Sequence, residues 1–257
     1  MKLTQIATLV LVAALAAACA RTPAPHLTPA PPALAVISWN LDEGDGNIEA
    51  LLADLAAGRI VRPVPGAWVL LLQELTRLPG GLAYSFVAPV RQLEDGESLG
   101  TAIVSSLPLE NAHAIRLPQA RQPRAAAAAT IRVAGTPFLI VSVHLENRGS
   151  WWQAGLLSEA GRERQARALL DELPADGPGV LGGDLNTWLG PTEPAWRLLV
   201  GRFPDLPPTR RDVTFRDRLV LDHVLFDLPA GWAAERRVLD DRYGSDHHPV
   251  LGVMTAP

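Results

Sequence analysis

The chain has 257 residues and a formal net charge of −4, with 48% hydrophobic and 19% charged residues. That composition supplies a sizeable core and excludes a chain that is disordered throughout, and the length suits one large α/β domain. Lys2 is the sole lysine, the remaining positive charge being arginine, and this acidic balance argues against non-specific binding to long nucleic acid, which draws on a basic face.

The N-terminus reads "MKLTQIATLVLVAALAAACA". A lysine precedes an apolar run, Ile6 to Ala18, that is short for a bilayer span and ends in small residues, as a signal peptide over residues 1–18 does. The stretch before Cys19 resembles a bacterial lipobox, with Ala16 in the place usually held by leucine and Leu15 one position further back. The resemblance implies an exported chain, lipidated at Cys19 and anchored to a membrane facing the periplasm or the cell exterior; plain secretion is the alternative. Cys19 is the sole cysteine, which excludes an intrachain disulfide and a Cys-rich metal site. Residues 19–33 carry Pro23, Pro25, Pro29, Pro31 and Pro32, and predict an extended, semi-rigid tether to a domain over residues 34–257.

Within that domain "LAVISWNL" and "AWVLLLQEL" predict buried strands, with a helix between them that Asn47 caps and Gly58 ends. "AYSFVAPV" and "GTAIVSSLPL" predict two strands around a polar turn at Glu94–Ser98. "AAAAATIRVAGTPFLIVSVHLEN" predicts two more, joined at Gly135–Pro137. A helix over Glu159–Leu173 follows, then the strand and polar loop "GGDLNTW", a short helix "EPAWRLLVG", and the closing strands "DRLVLDHVLFD" and "HHPVLGVM". Strands clustered between few helices predict an α/β sandwich of sheets with outer helices.

Chemistry-bearing residues recur where apolar runs end: Asn40, Gln73–Glu74, His144, Asp184–Asn186, Asp222–His223 and Asp246–His247. Strands that all release acids, amides and imidazoles at one edge bring them into one pocket. Carboxylate and amide oxygens suit a hard cation such as Mg²⁺, with Glu74 the best single ligand and Asn40 a neutral second. His247 and His144 are candidates for general base and phosphate donor, and Asp222 for the group that orients His247. Asp184 and Asn186 can align a water and substrate oxygens, and Arg124 can grip a phosphate. The chain has no Gly-rich nucleotide loop with lysine, no serine elbow and no HExxH, so hydrolysis by a cation-assisted water fits best.

In order, "SWNL", "LLQEL", "GTAIVSS", "VSVHLEN", "GGDLNTW", "LDHVLF" and "GSDHHPV" resemble the endonuclease/exonuclease/phosphatase family, over about Leu34 to Val253. The resemblance implies a DNase I-like, four-layer α/β/β/α sandwich of two packed mixed sheets. It also implies Mg²⁺-dependent attack of water on a phosphoester, with Mn²⁺ as a substitute. It makes Glu74, Asn40 and Asp246 metal-site residues and Asp222–His247 the pair that activates water. Asp184 and Asn186 would align the nucleophile, and His144 would contact the scissile phosphate. Arg124 would be a further phosphate contact. Gly66, Ala67 and Trp68 stand where the family usually places an Asp before the Gln–Glu pair, and His144 stands where abasic-site endonucleases carry tyrosine.

The expectation is a monomeric phosphoesterase of the cell envelope, with a nuclease-like phosphodiesterase ahead of a sphingomyelinase or inositol-phosphate phosphatase. A non-catalytic envelope binding module on the same fold is the competing class. Pleating sends neighbouring residues to opposite faces, so His247 is assigned to the pocket and His248 away from it. Trp151–Trp152 are read as packing, Asp42, Glu43 and Asp45 as a solvated loop, and His223 as a packing residue.

Overall fold

The computed structural model describes residues 33–92, 98–147, 156–205 and 212–257. The predicted signal peptide, Cys19, the tether, Trp151–Trp152 and most of the Glu94–Ser98 turn lie outside the described residues.

The elements run β1 (Ala33–Asn40), α1 (Ile48–Ala56), β2 (Ala67–Leu75), β3 (Tyr84–Gln92), β4 (Ser98–Ser105), β5 (Glu110–Leu117), β6 (Arg124–Val133), β7 (Thr136–His144), α2 (Leu156–Glu172), β8 (Gly179–Asp184), α3 (Pro194–Arg202), β9 (Asp222–Asp227), β10 (Ala233–Val238) and β11 (Val250–Thr255). One sheet has the order β10-β11-β1-β2-β4-β3 and the other β5-β6-β7-β8-β9. Each holds one parallel pair, β1 with β2 and β7 with β8, among antiparallel neighbours. The crossover of each parallel pair carries a helix, α1 or α2, as a parallel connection requires.

Three apolar clusters separate four layers. Val36, Leu71 and Ile103 of the first sheet meet Ala127, Ile140, Val180 and Phe226 of the second. Ile37, Trp39, Leu70 and Leu72 on the outer face of the first sheet pack under Ile48, Leu51 and Leu55 of α1. Val141 and Leu181 on the outer face of the second pack under Ala166 and Leu169 of α2 and Leu199 of α3. The predicted α/β/β/α sandwich of mixed sheets is the observed fold.

The alanine run of β6 is buried on both faces: Ala125, Ala127 and Ala129 turn to the interior, Ala126 and Ala128 to the helices. Gly182 on β8 allows the sheets to close on each other, since a Cβ there would stand 2.5 Å from Leu71 Cδ1 and 2.9 Å from Ser38 Cβ. Asn47 caps α1 as predicted, its side-chain oxygen accepting from the Ala50 N–H.

Several boundaries differ from expectation. β5 and β10 have no counterpart in the sequence reading. β9 begins at Asp222, not at 217, and residues 216–218 form a turn closed by a Phe215–Leu219 bridge ahead of it. β11 begins at Val250, so His247 and His248 precede the strand.

The topology explains why the polar residues meet. Asn40, His144 and Asp184 are the last residues of β1, β7 and β8, while Asp222 and Arg124 are the first residues of the antiparallel strands β9 and β6. The end of a strand lies beside the start of its antiparallel neighbour, and the register pairs His144 with Asp184 and Asp184 with Asp222.

Candidate active site

His247 Nδ1 and Asp222 Oδ2 are 2.7 Å apart, both side chains buried. The backbone around the histidine is held from three sides. Its N–H donates to Ser245 Oγ at 2.9 Å, Ser245 Oγ donates to the Asn40 carbonyl at 2.7 Å, and Trp39 Nε1 donates to the His247 carbonyl at 3.2 Å. Phe215 lies against the imidazole, with ring centroids 4.6 Å apart. Burial opposes a charge on His247, but Asp222, then Asp184 and Asp246, outweigh it and push the imidazole up to about 10.

His144 is set differently. Arg124 Nη1 donates to its Nδ1 at 3.0 Å. A guanidinium only donates, so Nδ1 accepts and the ring proton sits on Nε2. That Nε2–H faces Asp184 Oδ2 at 3.5 Å, and Asn186 Nδ2, a second donor, which gives a proton to the Leu145 carbonyl, stands 3.2 Å from His144 Nε2. Burial, then the charges of Arg124 and His247, hold this imidazole well below its ordinary range, so it is neutral.

Asp184 is the hub. Its Oδ2 accepts from Asn40 Nδ2 at 3.1 Å and stands 4.0 Å from His247 Nε2, and its Oδ1 accepts from the Asn186 N–H at 3.0 Å. Burial, then the neighbouring Asp222, push this carboxyl up to about 7.

Glu74 reaches the same cleft because β2 is irregular. The register against β4 shifts between Leu72 and Leu75, and Glu74 adopts φ +54°. A bulge re-aims a side chain that pleating would otherwise fix. Glu74 Oε2 accepts from the Glu43 N–H at 3.0 Å, and Oε1 stands 3.7 Å from His144 Nδ1. Asn186 also has a left-handed backbone, φ +50°. Such conformations cost a non-glycine residue about 1–3 kcal/mol and cluster where geometry serves a site.

Asn40, Glu74, His144, Asp184, Asn186 and His247 line a cleft of about 190 Å³ with Asp42, Asp246, Trp188 and Phe215. Four carboxylates (Asp42, Glu74, Asp184, Asp246) and three amides (Asn40, Asn147, Asn186) line it. Burial pushes Glu74 up, and burial followed by the charge of Asp246 does the same to Asp42. Asp42, Glu74 and Asp184 are thus held above their ordinary range, and crowded carboxylate and amide oxygens are the donor set a hard divalent cation fits. Ligand atoms of Asp184, Asp222 and His247 also lie within 4.8 Å of one another. Within that trio the 2.7 Å bond occupies His247 Nδ1 and leaves its Nε2 facing Asp184 Oδ2 at 4.0 Å.

All ten sequence candidates except Cys19, which is outside the described residues, lie at or beside this cleft. Arg124 departs from its expected place. It is buried behind His144 and absent from the cleft wall, with Nη1 engaged by the imidazole. Asp246 lines the cleft but also accepts from Arg216 Nε and Nη2 at 3.0 and 2.9 Å. Asp42, expected in a solvated loop, is part of the wall. His248 faces away: Nδ1 meets the Leu239 carbonyl at 2.8 Å and Nε2 meets Asp217 Oδ1 at 3.0 Å.

Sequence reasoning missed Phe215 and Trp188, which wall the cleft, and Ser245, whose hydroxyl ties His247 to β1. Only Ser245 had a signal, standing beside Asp246. It also missed a buried strut beneath the site, where Arg162 Nε donates to Glu193 Oε2 at 2.8 Å and Glu193 Oε1 accepts from the Leu189 N–H at 2.9 Å.

The model of the Endonuclease/Exonuclease/phosphatase family matches residues 37–247. The chain belongs to that family. It is thus a phosphoester hydrolase in a family that generally works with divalent metals. Solved structures agree on the fold of this family member. An endonuclease/exonuclease/phosphatase from Beutenbergia cavernae is 21% identical, with TM-score 0.63, covering 87% of this chain and 72% of that one. The human nocturnin catalytic domain is 19% identical, with TM-score 0.63, covering 88% and 95%. A mannosyl-6-phosphatase from Bacteroides thetaiotaomicron is 16% identical, with TM-score 0.59, covering 86% and 99%. Identities this low speak for the fold alone. No curated protein sequence matches.

Proposed function

We propose that this family member is a Mg²⁺-dependent phosphodiesterase of the cell envelope. The observation that carries the reading is the convergence of the Asp222–His247 pair, Asp184 and the Nε2–H of His144 on one cleft walled by carboxylates. The deprotonated His247 accepts the proton of the attacking water at Nε2 while Asp222 holds the ring through Nδ1, and a divalent cation among the carboxylates would offset the negative charge that otherwise keeps this imidazole protonated. Asp184, next to His247 Nε2, orients that water. His144 Nε2–H and the Asn186 amide donate to non-bridging phosphate oxygens, where charge develops. Arg124 acts through His144, by fixing the tautomer that presents the donor. Glu74, Asn40 and Asp246 would hold the divalent cation, with Asp42 at hand; when bound, it neutralises the carboxylates and polarises a phosphate oxygen.

Hydrolysis of bis(p-nitrophenyl) phosphate by the purified protein, against p-nitrophenyl phosphate as the monoester control, tests this reading. Preference for the diester supports it. Preference for the monoester makes the protein a phosphomonoesterase, and inertness toward both favours a binding module. Export with lipidation at Cys19 is the cellular half of the proposal. Incorporation of radiolabelled palmitate, lost in Cys19→Ala, checks it.

A further inference from the structure

The Asp222–His247 pair is divided between the two sheets. Asp222 opens β9 of one sheet, and His247 precedes β11 of the other. Their 2.7 Å contact joins side chains 25 positions apart. A relay whose halves sit on separate elements keeps its geometry only if something ties the two backbones together.

Thr214 lies between them. It is fully buried, and each of its hydrogen-bonding groups is engaged. Its Oγ1 accepts from the Leu221 and Asp222 N–H groups, both at 3.0 Å. Its carbonyl accepts from the His248 N–H at 2.7 Å, and its own N–H donates to the Leu219 carbonyl at 2.8 Å. The last bond serves the local turn. The others reach the backbone of the acid on one side and the residue after the base on the other. The next residues of the turn follow the same segment. Phe215 forms a β-bridge with His247 and lays its ring against the imidazole, and the Arg216 N–H donates to the Asp246 carbonyl at 3.3 Å. Arg216 and Asp217 hold left-handed backbone, φ +46° and +54°, conformations that persist where the surroundings enforce them.

We propose that Thr214 is the positioning residue of the proton relay: its hydroxyl and its carbonyl together fix the spacing between Asp222 and His247. Thr214 does not line the cleft, so it acts through the pair and not on the substrate. The catalytic consequence rests on the phosphoesterase reading; the geometric one does not.

Proton NMR of the purified protein reads the geometry without turnover. A hydrogen-bonded Nδ1–H of His247 gives a downfield resonance, assigned by its loss in His247→Ala. Nδ1 carries this proton in the charged ring and in the neutral tautomer that bonds Asp222, so the signal reports the contact. Thr214→Val keeps the shape and removes the acceptor. It should move or broaden the resonance and lower kcat on bis(p-nitrophenyl) phosphate roughly 10²-fold, the scale of a small misplacement, with KM little changed. Thr214→Ser keeps the oxygen and should restore both. Ser105→Ala is the control for a purely structural loss. Ser105 is buried at the end of β4, opposite Val69 and far from Glu74, and its hydroxyl accepts from the Leu107 N–H. That variant should lower the melting temperature while leaving resonance and kcat as they are.

A folded Thr214→Val protein with native resonance and kcat would overturn the proposal, as would Thr214→Ser damaged as badly as Thr214→Val. If Thr214→Val does not fold, Thr214→Ala, with room for a water in place of the hydroxyl, carries the same expectations. Failure of both to fold would make Thr214 a residue of the fold at large and overturn the positioning role. A resonance that behaves as expected in a protein that hydrolyses no phosphoester would support the positioning role and count against the phosphoesterase reading alone.

Discussion

His247 in the polar cleft and His223 on the lining of a second cavity, of about 290 Å³ and sharing Trp188 with the cleft, are buried to nearly the same depth, yet the first is charged and the second neutral. His247 is 5% exposed and His223 3% exposed. Asp222, Asp184 and Asp246 hold His247 up to about 10, whereas burial, then the positive Arg236, push His223 down to about 3. Depth alone therefore does not make an imidazole an acid or a base; the partner on its ring nitrogen does. His144 fits the same rule, since its nearest partner is a guanidinium and it stays neutral. The cleft gathers carboxylates around its imidazole, whereas the second cavity is walled mainly by aromatic and aliphatic side chains, with Arg218 the charged residue on its lining.

The comparison can be broken at its most polar point first. EDTA should bring hydrolysis to background and Mg²⁺ should restore it. Mg²⁺ should also raise the melting temperature by relieving repulsion among the cleft carboxylates, and Glu74→Gln should diminish that rise in differential scanning fluorimetry. The adjacent histidines come next. His247→Ala should cost about 10²–10⁴ in kcat, the usual worth of a general base, while His248→Ala should stay within about twofold. Equal losses would show that the pair is not divided between cleft and outer face.

The buried Arg162–Glu193 pair, whose side chains are 2% and 0% exposed, holds the Leu189 N–H beside Trp188. Arg162→Leu strands Glu193 without its partner and should destabilise the fold by about 3–5 kcal/mol, read from urea unfolding. The smallest effect concerns His223. Its ordinary pKa of 6.5 applies to the unfolded chain, against about 3 in the fold, so between these values the unfolded state binds more protons. Its influence on stability is therefore absent above about pH 6.5 and destabilises increasingly below it, at most by about 1.4 kcal/mol per pH unit. His223→Phe should flatten the loss of stability between pH 6.5 and 5; an unchanged slope would remove His223 from the comparison.

Most of the sandwich was legible because its central strands are apolar runs with a polar residue at the end. β2 matches the predicted Ala67–Leu75 at both limits. β5 and β10 were illegible for a physical reason. Both are edge strands, and in β10 exposed and half-buried residues alternate with none fully buried. A strand that buries little need not carry an apolar signature. The site was legible as a set of residue types, but its walls were not. Phe215 and Trp188 sit in loops whose sequence gives no sign of which ring they will face.

The sequence by itself determined the kinds of chemistry available: which strand ends release acids, amides and imidazoles, and the absence of a cysteine-based or lysine-based alternative. Those are local properties, set by residue type and by the length of each apolar run. Tertiary structure alone decided how the groups are paired and charged. Asn40 donates to Asp184 across 144 positions, and Trp39 to His247 across 208. It turned Arg124 from the cleft to the back of His144, and it left the His223 ring nitrogens without a hydrogen-bond partner among the described residues. The physical reason is that charge state and hydrogen-bond role depend on distances of a few ångströms, and such distances exist only once the two sheets have closed on each other.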